Sequence, residues 1–166
     1  MPSLALPHTP GCLACGRENP HGLRLELAVD DGGVVTTAFT PGPHHIGFVG
    51  VAHGGVQAVV LDEAMVWAAS WAGKRFCYCG ELAIRYRRPA RVGVPLAVTA
   101  KVDVHRSKLL TTSATITDAD GNVVATATAK YVPLPGDENR AFVALLVDEP
   151  GSHDAFVQLR MRSTTA

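Results

Sequence analysis

The segment His53-Gly54-Gly55-Val56-Gln57-Ala58-Val59-Val60-Leu61-Asp62-Glu63-Ala64 sets two carboxylates in a run that is otherwise almost wholly apolar. From Val56 to Ala72 only Gln57, Asp62, Glu63 and Ser70 are polar. A helix that is apolar on nearly every face belongs in a core. Burying a carboxylate there is costly unless it has a partner or a chemical task. Asp62 is the first candidate for such a task. Glu63 lies about 100° further around the helix and reads as a structural or surface acid. His53 reads first as a turn-forming, backbone-bonding residue with a smaller claim on direct chemistry. Gly54 and Gly55 stand where the helix begins, with N–H groups that lack partners within it and point outward. Having no Cβ, they let a substrate approach the backbone.

The rest of the chain must position these groups. Its 166 residues are enough for one domain with a sizeable core. Fifteen basic residues balance fifteen acidic ones, so no charge footprint favours nucleic acid or an anionic membrane. No apolar run is long enough to span a bilayer, and Met1–Pro10 is too short and proline-broken for a signal peptide. The expected location is the cytoplasm.

Residues 1–22 read as an irregular lead-in. Leu23–Leu27 alternates apolar and polar residues, the period of a half-buried strand. Asp30-Asp31-Gly32-Gly33 is a turn, and Val34–Thr40 is a second, β-branched strand. A Gly-, Pro- and His-rich loop covers Pro41–Ala52, and the helix follows from Gly55 to Ala72 with Gly73 as its stop. Four further strands follow at Phe76–Arg88, Leu96–His105, Leu109–Thr117 and Val123–Val132, the last two joined by an Asp118–Gly121 hairpin turn. An antiparallel sheet of about six strands must have one face covered, and the one apolar helix can cover it if the sheet wraps around it. A further helix is expected at Glu138–Val147.

Four cysteines, Cys12, Cys15, Cys77 and Cys79, are few for a disulfide scaffold. Four thiols are enough for tetrahedral zinc, but Cys77-x-Cys79 on a strand is a poor knuckle, and buried cysteines often just pack. The expectation is no metal, and no redox role for Cys12 and Cys15.

This order of elements, with His-Gly-Gly opening a buried helix, resembles the hotdog-fold acyl-CoA thioesterases, in particular their phenylacetate-pathway branch. That motif carries an acid nine residues after the His, here Asp62. A second matching block is Glu81-Leu-Ala-Ile-Arg-Tyr-Arg-Arg-Pro89, and a third is Cys12-Leu-Ala-Cys-Gly-Arg-Glu-Asn-Pro-His-Gly-Leu23 ahead of the first strand. The likeness covers residues 11–133. It implies an α+β hotdog domain over 23–133, flanked by the lead-in 1–22 and by an extension over 134–166 packed on or beside it. It departs from the family in two places. Residues 41–52 contain no Asn, leaving His44 and His45 as the nearest polar substitutes, and Cys79 stands where some relatives carry Thr or Ser.

The resemblance implies hydrolysis of an acyl-CoA to free acid and CoA, with CoA part of the substrate and no other cofactor. Thioester hydrolysis needs a group that polarises the carbonyl and one that activates water or attacks directly. Gly54 and Gly55, preceded by His53, suit the first role. Asp62 suits the second, as general base or nucleophile. Arg85, Arg87, Arg88, Arg106 and Lys108 are candidate phosphate partners, with Arg85 and Arg87 on one strand face and Arg88 on the other; His44, His45 and Cys79 are candidate pocket residues. Gly55 and Asp62 are seven residues apart, about 10 Å along a helix axis, too far to act on one carbonyl carbon. Two antiparallel helices from two subunits would solve this, so a homodimer or dimer of dimers is expected. The competing reading is a non-catalytic hotdog protein that binds acyl-CoA or another acyl ligand as sensor or carrier. A hotdog dehydratase would need a His–acid pair that the helix lacks.

Overall fold

The computed structural model describes residues 3–152 and Val157. The elements in chain order are β1 (Ser3–Ala5), β2 (Leu27–Asp30), β3 (Val35–Phe39), a 3-10 turn (Pro43–His45), β4 (Ile46–Phe48), β5 (Val51–Ala52), α1 (Gly54–Gly73), β6 (Cys77–Tyr86), β7 (Leu96–Arg106), β8 (Leu109–Asp118), β9 (Val123–Pro133) and α2 (Gly136–Val143). Seven strands form one antiparallel sheet in the order β1-β2-β3-β7-β8-β9-β6, and β4 with β5 forms a small separate hairpin. Helix α1 lies against β3, β6, β7, β8 and β9, as the apolar run requires.

The core forms where the helix and the sheet's inner face meet. Val60, Leu61, Ala64, Met65 and Ala68 of α1 are fully buried, as are Val35, Val98, Leu110, Ile116 and Tyr131 of the strands. In β8 every second residue is buried, the period-2 signature of a sheet with one dry face. Val60 and Trp67 are buried as expected, whereas Val56 and Val59 are only half-buried.

Several boundaries differ from the sequence reading. Residues 23–26 are not a strand. Arg24 adopts φ 55°, and the Leu23 and Leu25 N–H groups bond to Leu13 and Ala14 carbonyls. That ties the segment to the Cys12–Cys15 loop and delays β2 to Leu27. The lead-in is not wholly irregular, because Ser3–Ala5 pairs with β2. At the end of α1 the left-handed residue is Lys74, at φ 50°, not Gly73; its ammonium sits 3.8 Å above the Trp71 ring. Helix α2 starts two residues before the expected Glu138 and stops at Val143. The turn after it tightens, with Leu145 and Leu146 bonding three residues back, and Val147 then pairs with His8 in extended conformation. Within the described residues of the extension, the Phe142 ring lies 4.3 Å from Phe76, and Asn139 Oδ1 accepts from the Phe76 N–H at 2.8 Å.

Candidate active site

His53 is the N-cap of α1. Its Nδ1 accepts the Gly55 N–H at 2.8 Å, while its own N–H donates to the His45 carbonyl at 2.7 Å. The Gly55 N–H is therefore not unpaired, as the sequence suggested; the imidazole takes it, which is how a side chain satisfies an orphan donor at a helix start. On the other side, the Tyr86 hydroxyl donates to the Gly54 carbonyl at 2.8 Å. These contacts fix the helix start against the end of β6.

A cavity of about 540 Å³ opens here, lined by His53, Gly54, Gln57, Tyr86, Arg87 and Arg88 among others. Two of the sequence blocks thus meet in one place. Arg87 and Arg88 were expected on opposite faces, but β6 ends at Tyr86, and both arginine N–H groups bond to the Val124 carbonyl. Strand alternation has already stopped, so both residues line the same cavity, while Arg85 lies outside its walls. Gln57, one turn after His53, was not singled out from sequence. It is 4% exposed, and its Oε1 has no hydrogen-bond partner among the described residues. A buried acceptor left open beside a cavity is ready for water or a ligand.

Asp62 lies two turns further along α1. Tyr131, fully buried on β9, donates its hydroxyl to Asp62 Oδ1 at 2.6 Å and approaches the Asp62 carbonyl at 3.1 Å. Burial, reinforced by the Asp62 charge, pushes the Tyr131 phenol above its usual range, so it stays a neutral donor. Cys79 faces Tyr131 across the β6–β9 pairing. Burial and the Asp62 charge raise its thiol as well.

Not every candidate comes to this site. His45 Nδ1 accepts from the Gly42 N–H at 2.9 Å and its ring packs 5.3 Å from Phe39, so it shapes the loop, and His44 is exposed. Arg106 and Lys108 flank the β7–β8 turn. Leu110 there pairs with Tyr131, whereas Tyr86 pairs with Ala125 at the other end of β9, about 20 Å away along the strand. One chain therefore does not gather Arg106 and Lys108 with Arg87 and Arg88.

Of the two readings of Glu63, structural or surface, its half-buried position fits the structural one. Glu63 lines a second cavity, of about 600 Å³, with Cys12, Cys15, Val66, Trp67, Phe76 and Phe142 among its walls. Trp67 donates its indole N–H to Glu63 Oε1 at 3.0 Å. Burial, together with Cys12, raises the Glu63 carboxyl to about 7. Cys12 is lowered to about 5, chiefly by the hydrogen bond from the Cys15 thiol and then by backbone N–H groups; Cys15 is raised by the same bond. The four cysteines do not assemble. Cys77 lines this cavity but stands outside the thiol–carboxylate group, and Cys79 lies beside Asp62.

A sequence model described as the thioesterase superfamily matches residues 49–125. No curated protein matches the chain. Among solved structures, a thioesterase superfamily protein is 29% identical at a TM-score of 0.70, over 74% of this chain and 60% of that one. The chain thus spans less than two thirds of that protein. The PaaI protein of the Escherichia coli phenylacetic acid degradation operon superposes with a TM-score of 0.64 at 20% identity, over 68% of this chain and 81% of that one. A Streptococcus mutans protein bound to acetyl CoA gives 0.62 at 17% identity, over 66% and 88%. The matched segment spans the His53 turn, Asp62 and the Arg87–Arg88 block, so this part of the chain is similar to the thioesterase superfamily, and the chain takes a hotdog fold.

Proposed function

We propose that the protein is an acyl-CoA thioesterase that hydrolyses an acyl-CoA thioester to the free acid and CoA, in sites shared by two copies of the chain. The observation that carries this reading is the Asp62 carboxylate. It is held at 2.6 Å by Tyr131 on a buried helix whose N-terminus opens on a cavity walled by Arg87 and Arg88.

The thioester carbonyl oxygen faces the start of α1, where the aligned peptide dipoles and the glycine N–H groups favour developing negative charge. The Gly55 N–H becomes available when the exposed His53 imidazole swings off its cap; the Gly54 N–H lies outside that cap. Asp62 of the second copy takes a proton from the attacking water, or attacks the carbonyl itself. The open Oε1 of Gln57 is suited to accept from that water, a role for which residues 41–52 offer no Asn. Arg87 and Arg88 suit the phosphates of CoA. A reaction on acyl-CoA is compatible with the cytoplasmic location expected from the sequence.

The second copy is required by distance, since Gly55 and Asp62 sit about 10 Å apart on one helix axis. β6 supports the same reading. It forms one of the two edges of the sheet, most of its residues are exposed, and an unpaired edge accepts another strand. Dimers paired again into a tetramer fit this scheme.

The test is CoA release from a panel of acyl-CoAs, short to long and aliphatic to aromatic, by the wild type and by Asp62→Asn. Turnover of at least one substrate, lost in the variant while CoA binding persists, supports the reading. Undiminished turnover in Asp62→Asn removes Asp62 from the chemistry. Tight acyl-CoA binding without hydrolysis by the wild type replaces the enzyme with a carrier or sensor.

A further inference from the structure

The Cys12–Cys15 loop and Glu63 take no part in the proposed hydrolysis, yet the fold puts them together. Their ligand atoms, two sulfurs and a carboxylate oxygen, all lie within 4.8 Å of one another; among the described residues no other His, Cys, Asp or Glu group meets this spacing. Cys12 Sγ stands 3.9 and 4.0 Å from the two Glu63 oxygens. Thiolates about 2.3 Å and carboxylates about 2.0–2.2 Å from a tetrahedral zinc ion stand roughly 3.5–3.8 Å apart. Shifts of under about 1 Å therefore bring the three into one coordination sphere.

Two features prepare the loop for this. The Ala14 and Cys15 N–H groups point at Cys12 Sγ, at 3.3 and 3.4 Å, so the backbone already stabilises a thiolate there. The turn is held tight at Gly16, where a Cβ would meet the Pro10 carbonyl at 2.4 Å and Cys12 backbone atoms at 2.5 Å. The carboxylate is equally prepared. The Trp67 indole occupies one lone pair of Oε1 and orients the group, as an outer-sphere donor does for a metal ligand. No ion pair among the described residues involves Glu63. Among the described residues the half-buried acid and its neighbouring sulfurs thus lack a protein cation, and a metal ion would supply one.

We infer that Cys12, Cys15 and Glu63 form a three-ligand site for a soft divalent cation, zinc by the chemistry of its donors, with a fourth position facing the apolar cavity. Two thiolates select zinc over magnesium or calcium. Three protein ligands with an open position leave room for water or for an anionic group of a molecule in the cavity, such as a carboxylate. Binding releases to solvent the protons that the two thiols hold and joins the lead-in loop to α1, which no covalent link otherwise does. This inference does not rest on the thioesterase reading.

The test uses the full chain, purified with micromolar zinc chloride and dialysed. Mass spectrometry should find about one zinc per chain, absent in Cys12→Ser and Cys15→Ser and kept in Cys79→Ser. Replacing zinc by cobalt(II) should give thiolate-to-metal charge-transfer absorption. Glu63→Gln keeps that absorption at a weakened affinity, which separates metal loss from misfolding when circular dichroism is unchanged. The proposal is overturned if wild type holds no zinc and shows no charge-transfer band. It is overturned equally if metal content follows Cys79 instead, or if Cys12 and Cys15 are isolated as a disulfide that zinc does not prevent.

Discussion

The Tyr131 hydroxyl lies 2.6 Å from Asp62 Oδ1, while the neighbouring Glu63 accepts from Trp67 at 3.0 Å and lines a cavity that Asp62 does not. Two adjacent acids on one helix are thus held by different donors. About 100° of helix rotation is enough to divide them. Asp62→Asn should keep the fold, because the amide is nearly isosteric, and should lose turnover by roughly 10²–10⁴-fold if Asp62 is a general base. Glu63→Gln should cost far less turnover. Steady-state CoA release by the two variants checks the division.

Tyr131→Phe removes one hydrogen bond to a carboxylate and should cost about 1.5–3 kcal/mol, read by urea denaturation. The same residue fixes an alkaline limit. A phenol whose folded pKa is raised contributes stability that is complete below its unfolded pKa, near ~10, and is lost as pH rises beyond it. Wild type should therefore lose stability steeply above about pH 10, and Tyr131→Phe should lose it less steeply. Denaturation curves at several alkaline pH values read this slope directly.

The wrap of sheet around helix was legible because the periods were clean. β7 alternates buried and exposed residues over its first half, and the helix is apolar on nearly every face. Asp62, His53 and the two glycines stood out as candidates for the same reason, since polar groups and His-Gly-Gly interrupt an apolar pattern. Contacts distant in sequence were not readable. Nothing in the β9 pattern said that Tyr131 would point its hydroxyl at Asp62, and Cys12 and Glu63 are 51 residues apart. Leu23–Leu27 misled because its alternation is real, but loop hydrogen bonds to Leu13 and Ala14 outcompete the sheet. Arg87 and Arg88 misled because alternation was carried past the end of β6.

The helix start is crowded, so added bulk should be felt there. A Cβ on Gly54 would sit 3.1 Å from the Tyr86 hydroxyl, and one on Gly55 would sit 3.0 Å from His53 Nδ1. Gly55→Val should abolish most turnover by blocking carbonyl approach to the N–H groups. Gly54→Ala should lose activity more mildly, because the flexible end of Tyr86 can move. Tyr86→Phe in the Gly54→Ala background should recover part of the loss, since it removes the clashing oxygen. Comparing kcat/KM of the single and double variants measures that coupling.

A site built from the Gly55 end of one helix and Asp62 of another has a consequence that sites within single chains cannot reproduce. Asp62→Asn and Gly55→Val chains should each be inactive alone. In a mixed dimer, the intact helix start of the first chain meets the intact Asp62 of the second, and one of the two sites is whole. If subunits exchange freely at equal amounts, half the dimers are mixed, so activity should return to about one quarter of wild type. The assay is CoA release after co-expression, or after mild unfolding and joint refolding, with sedimentation confirming dimers. Mixtures that stay as inactive as their parents would place both groups in the same chain's site and contradict the shared architecture.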